Sequence, residues 1–72
     1  NVPVARKLPF ETLPRVAGEL AHTRSRLAAS GRVLLRYSGT EPLARVMIEG
    51  EDAVEIEALA NGLAEAIRGE LG

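Results

Sequence analysis

The chain has 72 residues, 46% apolar and 26% charged, with 9 Lys+Arg against 10 Asp+Glu and a formal net charge of -1. That is the composition of one small globular domain, without the basic excess of a protein built for nucleic acid. With no Cys and one His, disulfide frameworks, thiolate metal sites and multi-histidine metal sites are excluded, and no apolar run approaches the roughly 20 residues that span a bilayer. A chain this short buries only about 60% of the surface that its unfolded form exposes. At this size, with 3% aromatics to build a core, the expectation is a piece of something larger rather than a complete enzyme.

Asn1 to Phe10 alternates Val2 and Val4 with other residues, interrupted by Pro3 and Pro9. Proline cannot donate to a ladder, so this segment reads as a short edge strand. Pro14 suits the first turn of a helix, where its missing N–H costs nothing. Leu13, Val16, Ala17, Leu20, Leu27 and Ala28 recur at three- and four-residue spacing. They predict a helix over Pro14 to Ala29 with Gly31 as its stop. Val33 to Ser38 reads as a strand, and so does Leu43 to Glu49 with Val46 and Ile48 on one face. The short connection between them predicts an antiparallel hairpin. Asp52 is the expected N-cap of a final helix, with Glu55 completing a capping-box pattern. Ile56, Leu59, Ala60, Leu63, Ile67 and Leu71 carry its apolar stripe straight through Gly62. The order strand, helix, strand, strand, helix predicts an α+β domain: a small antiparallel sheet covered on one face by two helices.

The chemistry concentrates in Arg36-Tyr37-Ser38-Gly39-Thr40-Glu41-Pro42-Leu43-Ala44-Arg45. Alternation puts Arg36 and Ser38 on one face, and a simple register puts Arg45 opposite Arg36. Like charges facing each other across a sheet are destabilising, and an anion between them would relieve that. Ser38 and Thr40 supply hydroxyls, and Gly39 lets the backbone turn tightly and present free N–H groups. Forked guanidinium donors, hydroxyls and amides together suit a phosphate. The same residues also fit a solvent-facing arginine followed by an ordinary turn.

The string Arg36 to Pro42, followed by Arg45-Val46-Met47-Ile48-Glu49-Gly50, resembles the C-terminal domain of the alpha-D-phosphohexomutase superfamily. Within it the wording is most similar to the phosphoglucosamine mutases, and the likeness covers essentially the whole chain. The resemblance implies a TATA-binding-protein-like fold and a place as the last domain of a cytoplasmic four-domain enzyme. It implies that Arg36, Ser38, Gly39, Thr40 and Arg45 bind the phosphate of a phosphosugar, with Glu41 and Pro42 supporting the loop. It assigns Tyr37 no role beyond packing. The expected partners are the phosphosugar and the other domains of the same enzyme, with no nucleic acid and no membrane.

The superfamily's phosphoserine loop, Asp-rich metal loop and Gly-Glu-x-Ser sugar loop do not occur here, and Asp52 is the only Asp. No catalytic residue, metal ligand or cofactor is therefore expected in this chain. Magnesium would belong to the full-length enzyme. The other readings are a phosphomannomutase/phosphoglucomutase of the same superfamily, or a free-standing anion- or nucleic-acid-binding module. The charge of -1 and the 3% aromatic content weigh against the last. Elsewhere, His22 and the Arg24, Arg26 and Arg32 group read as solvated surface, and Glu49, Glu51 and Asp52 as helix-start carboxylates. Met47 reads as core filler.

Overall fold

The computed structural model describes residues 1–72. Its elements are β1 (Val2–Pro3), α1 (Pro14–Leu27), β2 (Arg32–Tyr37), β3 (Leu43–Glu49) and α2 (Ala53–Leu71). Single 3-10 turns lie at Phe10–Thr12 and Ala28–Ser30. The expected α+β order holds. The sheet is antiparallel with strand order β1-β3-β2, so β3 is central. Ala44 lies between Val2 and Tyr37 on the neighbouring strands and is fully buried, which leaves room only for a methyl group there.

The hairpin register pairs Arg36 with Arg45, Leu34 with Met47 and Arg32 with Glu49 on the outer face. Val33, Leu35 and Tyr37, with Val46 and Ile48, point inward, and both helices pack on that side. Val16, Ile67 and Leu71 meet Val2, Val4 and Ala44 in the core. Leu63 is 0% exposed, and full burial of such a side chain stabilises by about 1.5–3 kcal/mol. Asp52 caps α2 as expected: Oδ1 accepts from the N–H of Val54 at 3.0 Å and of Glu55 at 3.2 Å. Glu55 does not complete the box, because its carboxylate takes the guanidinium of Arg26 instead.

Four expectations need correction. β1 spans only Val2–Pro3: Val4 N–H still reaches Pro42 O at 2.9 Å in the same register, but Pro42 has no N–H to return, and Ala5 N–H turns away to Leu71 O. α1 ends at Leu27, not Ala29, where Ala28 takes φ 47°. This is a conformation that alanine adopts only with strain, and it leaves Ala28 exposed rather than on the core stripe. Thr23, on the stripe with Val16 and Leu27, is fully buried, and its Oγ1 has no partner. Gly31 is extended, with φ -165°, so it is not a left-handed stop. Its role is close approach, since a Cβ there would sit 2.1 Å from Glu49 O. Met47 is 53% exposed: the pleat that turns Val46 and Ile48 inward turns it outward.

Candidate functional site

The tight hairpin places Arg36 directly opposite Arg45 on the exposed outer face. Neither arginine pairs with a carboxylate. The chain's ion pairs are Arg26–Glu55, Arg32–Glu49 and Arg68–Glu65. The hairpin thus places two arginines opposite each other beside the loop, with neither in an ion pair.

The loop itself is tightly bonded. Ser38 N–H donates to Leu43 O at 2.9 Å, and Leu43 N–H to Glu41 O at 2.8 Å. Ser38 Oγ accepts the N–H of Thr40 at 3.3 Å and of Glu41 at 3.1 Å. Pro42 contributes its carbonyl to Val4, which ties the loop to the N-terminal segment. Two expectations change here. Strand alternation stops at Tyr37, and Ser38 is 5% exposed, so it does not share the open face of Arg36. A buried hydroxyl needs partners, and Ser38 finds them in the loop's own amides. Those of Thr40 and Glu41 are consequently not free. The hydroxyl keeps its proton to donate.

The N–H of Gly39 is outside this bonded set. Gly39 has no positive φ, and a Cβ there would meet nothing within 4 Å. The turn does not require glycine; the bare backbone leaves this stretch open to close approach. Gly39, Thr40 and Glu41 are all exposed. Arg36, Gly39, Thr40 and Arg45 therefore stand at an open edge, with Ser38 beneath them, bracing the loop from inside. Glu41 supports the loop through its backbone rather than its carboxylate.

Sequence reasoning missed what the N-terminal segment does. After β1 the chain crosses the loop end of the hairpin. Lys7 Nζ donates to Ser38 O at 2.6 Å. Tyr37 Oη accepts the N–H of Leu8 at 3.2 Å and donates to Leu8 O. The Tyr37 ring stacks on Phe10 with centroids 4.3 Å apart and planes 16° from parallel. Tyr37 packs as expected, but it also fastens this segment. The signal available in the sequence was the pair of prolines, Pro3 and Pro9, which keep the segment out of regular structure. Nothing local says where it crosses.

The surroundings are plain. The surface hollows lie elsewhere, the largest along Arg32–Leu34 and Val46–Glu49. The loop is an edge, not a pocket. Hydrogen bonding and Coulomb attraction from Glu49 raise the pKa of the Arg32 guanidinium, at the far end of the hairpin. No three His, Cys, Asp or Glu side chains come together to hold a metal ion. His22 is exposed, and no helix is long and apolar enough to cross a membrane.

Comparison with known proteins agrees with this architecture. A family model described as phosphoglucomutase/phosphomannomutase, C-terminal domain, matches residues 1–66. The phosphoglucosamine mutase of Dechloromonas aromatica is 54% identical over 68 residues, 94% of this chain and 15% of the relative. That of Solidesulfovibrio magneticus is 52% identical over 67 residues, 93% of this chain and 15% of the relative. That of Chlamydia felis is 50% identical over all 72 residues, 16% of the relative. The chain spans about 15% of the length of the curated relatives it matches. With the family model matched over nearly its whole length and relatives at about half identity, the chain belongs to the phosphoglucomutase/phosphomannomutase C-terminal domain family.

Proposed function

We propose that the Arg36–Arg45 hairpin loop grips the phosphate of a phosphosugar, as the last of four domains of a cytoplasmic phosphoglucosamine mutase. The observation that carries this reading is the facing pair Arg36 and Arg45, exposed and without carboxylate partners. Two forked donors beside a loop braced from within suit a tetrahedral dianion better than any neutral group. The relatives are named phosphoglucosamine mutases, and that supports reading the full-length enzyme's reaction as interconversion of glucosamine 6-phosphate and glucosamine 1-phosphate.

Such a reaction proceeds through a bisphosphorylated sugar that must turn over between two phosphoryl transfers. Each end of the sugar then occupies the same grip in turn. Arg36 and Arg45 would hold the phosphate that is not reacting and neutralise its charge. Gly39 N–H and the Thr40 hydroxyl would add donors from the open side of the loop. Ser38 would keep the loop in shape from beneath. An edge rather than a pocket suits a domain that closes over ligand held by the rest of the enzyme and excludes water. This chain's residues do not form a metal site, so the magnesium expected of the full-length enzyme would be held by other segments. Phosphoryl transfer would likewise lie outside these residues, and the isolated chain should be inactive.

The test is an NMR titration of the chain with inorganic phosphate at constant ionic strength. Expected are shifts centred on the amides of Ser38 to Glu41, with a dissociation constant on the order of millimolar, about -4 kcal/mol. Largest shifts on α1 would overturn the loop assignment. Assaying the full-length enzyme on the 6-phosphates of glucosamine, glucose and mannose decides the sugar. Preference for either neutral sugar would reassign it to phosphoglucomutase or phosphomannomutase.

A further inference from the structure

Six of the chain's nine basic side chains take part in none of its ion pairs: Arg6, Lys7, Arg15, Arg24, Arg36 and Arg45. Three of these six stand at one hairpin end: Arg36 and Arg45 opposite each other on the outer face, and Lys7, from 31 residues away in sequence, on the Ser38 carbonyl at the start of the loop. Bringing a third cation to two facing guanidinium groups is electrostatically unfavourable in itself. The fold nevertheless secures the arrangement with specific bonds. Val4 is bonded to Pro42 on one side of the loop, and Leu8 is bonded twice to the Tyr37 hydroxyl on the other. Lys7 lies between these two anchors, with its ammonium on the Ser38 carbonyl.

We propose that Lys7 is a third cationic donor of the phosphate grip, delivered by the N-terminal strap that Tyr37 pins to the end of β2. The inference rests on the phosphate reading of the loop. The ammonium carries three N–H donors; one is used by Ser38 O, and two remain for an anion at the loop's mouth. The residue is exposed, so an anion can reach it. The Ser38 carbonyl is a neutral acceptor that fixes the position of the ammonium without cancelling its charge. Tyr37 is a positioning residue in this arrangement and does not touch the phosphate itself.

Inorganic phosphate titrated into the 72-residue chain, with ionic strength held by chloride, tests this. Lys7→Ala and Lys7→Gln should weaken binding at Ser38–Glu41 by roughly three- to tenfold, the range between an exposed ion pair and a charge-assisted hydrogen bond. Lys7→Arg should stay within about twofold of the unsubstituted chain. The glutamine variant separates charge from structure, because its amide can still donate to the Ser38 carbonyl. If Lys7→Gln binds phosphate as the unsubstituted chain does, Lys7 only braces the loop and the proposal falls while the phosphate reading stands. If the unsubstituted chain shows no phosphate-dependent shift at the loop, the phosphate reading fails and the place of Lys7 in it fails too.

Discussion

The two ends of the β2–β3 hairpin carry opposite solutions to one electrostatic problem. At the far end Arg32 faces Glu49, and the side chains meet at 3.0 Å. At the loop end Arg36 faces Arg45, and neither has a carboxylate partner. The face, the strands and the cross-strand geometry are the same, with Leu34 and Met47 between the two ends. A sheet that needed only stability would match charges at both ends, since cross-strand opposite charges help and like charges hurt. The unmatched end is the one with the braced loop, the exposed glycine and the strap that brings Lys7. On the proposed phosphate reading, the matched end serves the sheet, and the unmatched end keeps its positive charge for an anion.

Removing the support beneath both ends should have the largest effect. Leu63 is fully buried, and Leu63→Ala should destabilise the chain by roughly 2–5 kcal/mol, leaving it largely unfolded at 37 °C. Thermal unfolding followed by circular dichroism reads this directly. An unchanged Tm would mean that α2 does not depend on this core.

The next largest effect should appear only at the loop end. In the full-length enzyme Arg45→Ala should lower kcat/KM roughly tenfold to a hundredfold, the equivalent of a charge-assisted contact worth about 1.5–3 kcal/mol. Arg45→Lys should recover part of it, because a point charge cannot reproduce a forked pair of hydrogen bonds. The Tm of either variant should equal or exceed that of the parent, since a repulsive pair is relieved. Loss of fold with normal kinetics in the folded fraction would make Arg45 structural instead.

Arg45→Glu converts the loop end into a copy of the far end and tests the comparison most sharply. A new cross-strand pair with Arg36 should stabilise the chain by a few tenths of a kcal/mol, while phosphate binding at the loop disappears. A variant that is both less stable and unaffected in phosphate binding would remove the basis of the contrast. The smallest effect belongs to Glu49→Gln at the far end, an exposed pair in which little is at stake. Its Tm should stay within experimental scatter and its phosphate affinity should be unchanged. A weakened affinity there would mean that the two ends are not independent.

Much of this arrangement was legible in the sequence, and the reason is that it is local. The hairpin, its register and the facing arginines follow from two strands joined by five residues. The cap at Asp52 and the stripe of Leu59, Leu63, Ile67 and Leu71 follow from helical spacing. The motif from Arg36 to Pro42 was sufficient to suggest the family. Met47 is the exception: its apolar side chain reads as core filler, but the pleat turns it outward.

Tertiary structure alone decided the rest. Ser38 is 5% exposed, tucked under the crossing segment whose Lys7 ammonium bonds its carbonyl. Ala28 drops off the stripe because α1 stops there at a strained residue, leaving it exposed. Lys7 and Tyr37 join the loop through contacts spanning about thirty residues. The sequence specifies which side chains can bond and at what local spacing. It does not specify where a proline-interrupted strap crosses, since that path is set by how the two helices and the sheet close over their shared core.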